Sequence, residues 1–151
     1  MSPSGRSLTL TSAQSDRQLG WWFSCLARSY KYLLDDHGYR IDDVYIHFRG
    51  SGLAFRSHRF VIRLTYDQEG SQVGCDLYSA ADYDAEQPRL VTAQHLLEVR
   101  APDRVWAPPD TPWSRSQVEG VFESWAAGLR EYAADVIAGR IPTGVSWETA
   151  W

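Results

Sequence analysis

The chain has no asparagine, one lysine (Lys31), one methionine and only two cysteines among its 151 residues. Each scarcity excludes something. Cys25 and Cys75 are too few for a disulfide framework, so a reducing compartment is the expectation. No apolar run reaches the roughly 20 residues a membrane helix needs. The Ser/Thr-rich stretch from Met1 to Asp16 lacks the apolar segment of a secretory signal. A cytoplasmic protein with no membrane partner is therefore expected. Lysine and asparagine both use AT-rich codons, and their scarcity points to a GC-rich bacterial genome. Chemistry-bearing motifs are also missing. There is no phosphate-binding Gly-Lys-Ser/Thr loop, dinucleotide fingerprint, HExxH, CxxC or Gly-x-Ser-x-Gly elbow. No cofactor is implied, and no nucleophile–base–orienter set suggests an enzyme.

What is present suits a packed α+β domain. Apolar residues make up 44% and charged residues 23%, with a net charge of −4. That balance is too apolar for a disordered chain. A chain of this length buries roughly 68–70% of the surface its unfolded form exposes. The expected organisation is a flexible arm over 1–14, one α+β domain over 15–142 and a tail over 143–151.

The hydrophobic period changes along the chain. Leu19, Trp22, Phe23, Leu26, Tyr30, Leu33 and Leu34 form one helical stripe, which starts near Ser15 or Asp16 and ends at Gly38. From Val44 the period is two. Val44, Ile46 and Phe48, then Leu53 and Phe55, then Phe60, Ile62 and Leu64, then Val73, Cys75 and Leu77 read as a four-stranded antiparallel meander. A turn at Gly50-Ser51 pairs Phe48 with Leu53. A bend at Ser57-His58 pairs Leu53 with Ile62, and the loop from Asp67 to Gly70 pairs Leu64 with Val73. In all three registers the apolar residues share one face. An acidic connection over 79–89 follows, then a short helix from about Thr92 to Arg100 and a Pro-rich loop. Ser114 and Gln117 form a capping box for a last amphipathic helix carrying Val118, Val121, Phe122, Trp125, Leu129, Tyr132, Val136 and Ile137. The expected architecture lays the N- and C-terminal amphipathic helices on one face of the meander.

Two sets of residues are candidates for function. The opposite sheet face would carry Tyr45, His47, Arg49, Arg56, Arg59, Val61, Arg63, Asp76 and Tyr78, with Gly52 and Gly74 leaving space beside Arg63. Of these, Tyr45, His47, Arg49, Arg56, Arg63 and Tyr78 are candidates for holding an anionic ligand. The plain alternative is a water-facing sheet side. The negative net charge argues against nucleic acid as the partner. The second set is Asp82, Asp84 and Glu86 with the loop tryptophans Trp106 and Trp113, candidates for contact with a protein partner or a second copy of the chain. No metal site is expected. His37, His47, His58 and His95 lack ligand spacing on a helix, and only His47, His58 and Asp76 could meet near the sheet. Cys25 and Cys75 read as small buried hydrophobes.

One organisation draws these features together. It combines a long helix ending in His37-Gly38-Tyr39, a meander containing the run from Phe55 to Leu64, the acidic turn Asp67-Gln68-Glu69-Gly70 and a closing amphipathic helix. Over roughly residues 17–139 it resembles cytoplasmic immunity proteins encoded beside polymorphic toxins in actinobacteria. The resemblance implies a non-enzymatic protein that neutralises a cognate toxin by binding it. It carries over no catalytic residue. An acidic segment would then complement a basic toxin surface. The alternatives are a small-ligand or nucleic-acid-binding domain that uses the arginine face, and a secretion chaperone or adaptor that forms a homodimer.

Overall fold

The fold was analysed in a computed structural model, which describes residues 19–46, 50–67, 72–110 and 113–149. A helix α1 over 19–29 is followed by α2 (Lys31–His37). Then come β1 (Arg40–Ile46), β2 (Ser51–Arg56), β3 (Phe60–Asp67), β4 (Gln72–Ser79) and β5 (Arg89–Thr92). After these follow α3 (Ala93–Arg100), α4 (Arg115–Tyr132), α5 (Ala134–Ile137) and β6 (Glu148–Thr149). The strands form one antiparallel sheet in the order β1-β2-β3-β4-β5-β6. The class is α+β, as the sequence reading expects, but the meander has six strands rather than four. Strand β5 lies between the acidic connection and α3, and β6 arises from the segment read as a tail.

The long N-terminal helix is broken. Tyr30 leaves helical geometry, with φ −106° and ψ 11°, and α2 starts anew after it. The break re-phases the following turn: Tyr32 turns into the core and Leu34, expected inside, is exposed. The helix start near Ser15 and the 1–14 arm lie outside the described residues. Gly38 ends α2 in the left-handed conformation (φ 70°), with its N–H donating to the Leu33 carbonyl. Helix α4 starts on the expected capping box, Ser114 with Gln117. It stops at Tyr132, short of Val136 and Ile137 that the sequence reading places on it, because Ala133 leaves helical geometry (φ −131°, ψ 27°) before α5. The short helix also starts where expected, with the Thr92 hydroxyl accepting from the His95 N–H.

From Asp43 onward, past a β-bulge between Ile41 and Asp43, the strand pairings differ from the expected ones by even steps. Val44, not Phe48, faces Leu53; Leu64, not Ile62, faces Leu53; Cys75, not Val73, faces Leu64. Ser51 is a buried strand residue opposite Ile46, not part of a two-residue turn. His58 and Arg59 form the tip of the next hairpin. There the Ser57 hydroxyl accepts the N–H of Arg59 and Phe60. Alternation decides only which face a residue takes, so a slip of two or four leaves the apolar set together.

Leu53, Phe55, Phe60, Ile62, Leu64, Cys75, Leu77 and Val91 form the inner face, and residues from all five helices pack on it. Trp22, Tyr30, Phe122 and Leu129 are among those helical residues. Three tyrosines tie the ends of the chain together. The hydroxyls of Tyr30, Tyr32 and Tyr39 donate to the carbonyls of Phe122, Ala126 and Ile137, each at 2.9 Å. These bonds sit inside the apolar layer, where an unmade one costs most.

Trp106, expected as an exposed partner anchor, belongs to this core. It is 4% exposed, its indole N–H donates to the Ala101 carbonyl, and its own carbonyl accepts from Trp125. Its ring lies on α4 at Gly128, where a Cβ would come within 2.6 Å of it. A larger residue there would push Trp106 out. Among the described residues no helix is long and apolar enough to cross a membrane.

Candidate functional site

The outer face of the sheet carries Tyr45, Gly52, Ala54, Arg56, Val61, Arg63, Thr65, Gly74, Asp76, Tyr78 and Leu90. It divides into two zones. In one, Ala54, Val61, Tyr78 and Leu90 form a small second core. Tyr83, from the turn after β4, packs on that core, its ring 5.0 Å from that of Tyr78 in an edge-on arrangement. The same turn is fixed by Arg56. Its guanidinium donates to the Ala80 carbonyl at 3.1 Å, lies 3.4 Å from Asp42 and 3.6 Å from Asp84, and sits over the Tyr83 ring. Burial pushes the Tyr83 phenol up to about 12.

The second zone is polar. Arg63 donates to the Tyr45 hydroxyl at 3.0 Å and its guanidinium lies 5.4 Å from the centre of the Tyr45 ring. The Tyr45 ring in turn covers Gly52, where a Cβ would run into it. The space expected beside Arg63 is therefore filled by the protein's own tyrosine. Over Gly74 a Cβ would come 2.6 Å from the Thr65 hydroxyl. Asp76 faces Arg63 across the β3–β4 pair. Burial raises its carboxyl from 3.8 to about 6, an effect that Arg63 opposes and Glu148 reinforces. Tyr45, Thr65, Gly74 and Asp76 line a shallow groove of about 550 Å³.

The residues singled out for an anionic ligand thus separate. Tyr45, Arg56, Arg63 and Tyr78 share the outer face, but Arg56 is engaged by two carboxylates and Arg63 by a phenol. His47 and Arg49 lie outside the described residues. Arg59, read from the sequence as part of this face, instead occupies an exposed hairpin tip beside His58. Of the residues assigned to a protein partner, Asp82, Asp84 and Glu86 lie on the turn that Arg56 and Tyr83 hold. The Asp84 side chain is 82% exposed, Glu86 is exposed, and Asp82 lies 3.9 Å from Arg89. Trp113 is half-buried against the main core and donates its indole N–H to the Pro109 carbonyl.

Both cysteines are buried free thiols, and burial pushes both up, Cys75 furthest. That setting disfavours the thiolate a nucleophile or metal ligand needs. Among the described residues no three His, Cys, Asp or Glu side chains are grouped to hold a metal ion. The residue that sequence reasoning missed is Tyr83. Its only sequence signal is that it is aromatic within an acidic turn, and its ring partners Arg56 and Tyr78 lie on strands β2 and β4. No protein-family model, curated protein or solved structure matches the chain.

Proposed function

We propose that this protein acts by binding, as the immunity proteins it resembles do, and that it docks a protein partner through the acidic turn between β4 and β5. The supporting observation is how that turn is held. Arg56 grips its backbone at Ala80 and its side chain at Asp84, and Tyr83 is seated on Tyr78, while the carboxylates of Asp84 and Glu86 remain in water. A rigid acidic epitope loses little conformational freedom on binding, which leaves more of the contact energy as affinity. Its charge also accelerates encounter with a basic surface.

A toxin is the partner class the resemblance implies, and a basic substrate-binding cleft is the surface this charge fits. Co-expression with the product of the adjacent gene tests the reading. Rescue of growth from a lethal neighbour is expected. A harmless neighbour, or lethality undiminished by this protein, overturns it. Within a rescuing pair, Asp84→Lys with Glu86→Lys should slow association by at least about tenfold at low salt, with little change in thermal stability, measured by surface plasmon resonance and calorimetry.

A further inference from the structure

A second recess, beside the base of the acidic turn, carries charged side chains that are mostly basic. It encloses about 450 Å³, within the range of small-molecule sites. Four parts of the chain build it: the β2–β3 hairpin tip with His58 and Arg59, the first residues of the turn after β4, the start of β5 with Arg89, and the C-terminal segment with Ile141 and Trp147. Asp82 closes its rim.

The recess is a constructed feature. Trp147 is half-buried against the main core, and the chain is fastened on both sides of it. Before it, the Ser146 N–H donates to the His95 ring nitrogen at 3.0 Å; after it, Glu148 and Thr149 pair with Leu90 and Arg89. Gly139, at φ 117°, runs against the aliphatic stem of Arg59: a Cβ there would lie 3.4 Å from its Cγ. The charges are left over. Among the described residues Arg59 and His58 make no side-chain hydrogen bond or ion pair, and Arg89 has only Asp82, at 3.9 Å. Two arginines therefore face one carboxylate beside an indole wall, whereas Arg56 and Arg63 on the sheet face are already taken by their own chain.

We infer that this recess is a binding site for a small anion carried on a planar ring, with Arg59 and Arg89 holding the anionic group and Trp147 contacting the ring. An arginine presents paired donors to a phosphate or carboxylate. An indole offers a flat apolar surface. The ring and the anion must arrive together, because exposed arginines hold a bare ion only weakly in salt.

Phenyl phosphate is a suitable probe, with benzoate as the carboxylate arm and benzyl alcohol as the uncharged control. Titrations of the full chain are followed by calorimetry and by the Trp147 indole resonance in NMR spectra. Phenyl phosphate or benzoate should bind at low salt, shift that resonance and weaken as salt rises, and benzyl alcohol should bind at least about tenfold more weakly. Arg59→Glu should weaken binding about tenfold or more, Arg59→Lys less, and the remote exposed Arg28→Glu not at all. Arg59 is exposed, so an unchanged thermal transition accompanies these effects. Failure of both anions to bind at millimolar concentration overturns the inference. Binding that ignores Arg59→Glu, or leaves the Trp147 resonance in place, does the same. The site borders the acidic turn, which lends it Ser79, Ala81 and Asp82 but neither Asp84 nor Glu86, so Asp84→Lys with Glu86→Lys should leave the Arg59-dependent binding in place.

Discussion

The two faces of the sheet are built from the same strands by different rules. On the inner face Phe55, Ile62, Leu64 and Leu77 meet helices from both ends of the chain, and nearly everything they touch is apolar. On the outer face the neighbours of those residues divide: Ala54, Val61 and Tyr78 are buried in a small cluster under Tyr83, and Arg63 meets the Tyr45 phenol. The inner face needs only sidedness and volume, so many sequences and several registers would satisfy it. The outer face depends on particular partners. An arginine there is available to a ligand only if no phenol or carboxylate of its own chain reaches it first.

The largest break of this contrast comes from the inner layer. Phe122 is fully buried, against Trp22 and Trp125. Phe122→Ala should lower unfolding free energy by about 3–5 kcal/mol in urea denaturation. A loss under about 1 kcal/mol would mean that α4 does not close the core. The outer cluster should be weaker. Tyr83→Ala removes its cover and the Tyr78 ring contact, for an expected loss of roughly 1–2 kcal/mol by the same method. A cost equal to that of Phe122→Ala would erase the distinction between the two faces.

The smallest effect sharpens the contrast through pH. In the folded chain burial holds Asp76 protonated up to about 6, against 3.8 ordinarily. Between those values the folded chain keeps a proton that the unfolded chain has lost. Asp76 therefore lowers stability progressively as pH rises from 3.8 to about 6, and the penalty persists above. Asp76→Asn should raise stability at pH 8 by about 1 kcal/mol and flatten that part of the profile. Calorimetry at pH 4 and pH 8 checks it. Asp135 works in the opposite sense. Its bond with Arg100 holds the carboxyl below its ordinary value, so its contribution is present above pH 3.8 and fades under it.

Local signals and long-range ones differ in how legible they were. The capping box at Ser114 and Gln117, the Gly38 stop and the apolar stripe of α4 from Val118 to Tyr132 are all encoded within a few residues, and each stands where the sequence places it; Val136 and Ile137, read as the end of that stripe, lie on α5. The face taken by the described residues of β2, β3 and β4 was legible too, because side chains alternate along a strand. Register was not, since even slips keep the same faces buried. The position of Trp106 was not legible either. It depends on Gly128, far along the chain, having no side chain. The candidate sites suffered most. That Arg63 would be bound to Tyr45 and Arg59 left unengaged turns on distances between strands, which no spacing in one strand reveals.

The sequence alone determined which long segments are helical, though not the breaks at Tyr30 and Ala133, together with the apolar sidedness of the meander and the negative charge of the turn after β4. These follow from period, caps and composition, which act over one or two turns of chain. Only the tertiary structure decided the six-strand sheet, the burial of Trp106, the seat of Tyr83 and which arginines remain free. Those depend on which distant groups come within hydrogen-bonding reach, and that is fixed only once the helices and strands have packed.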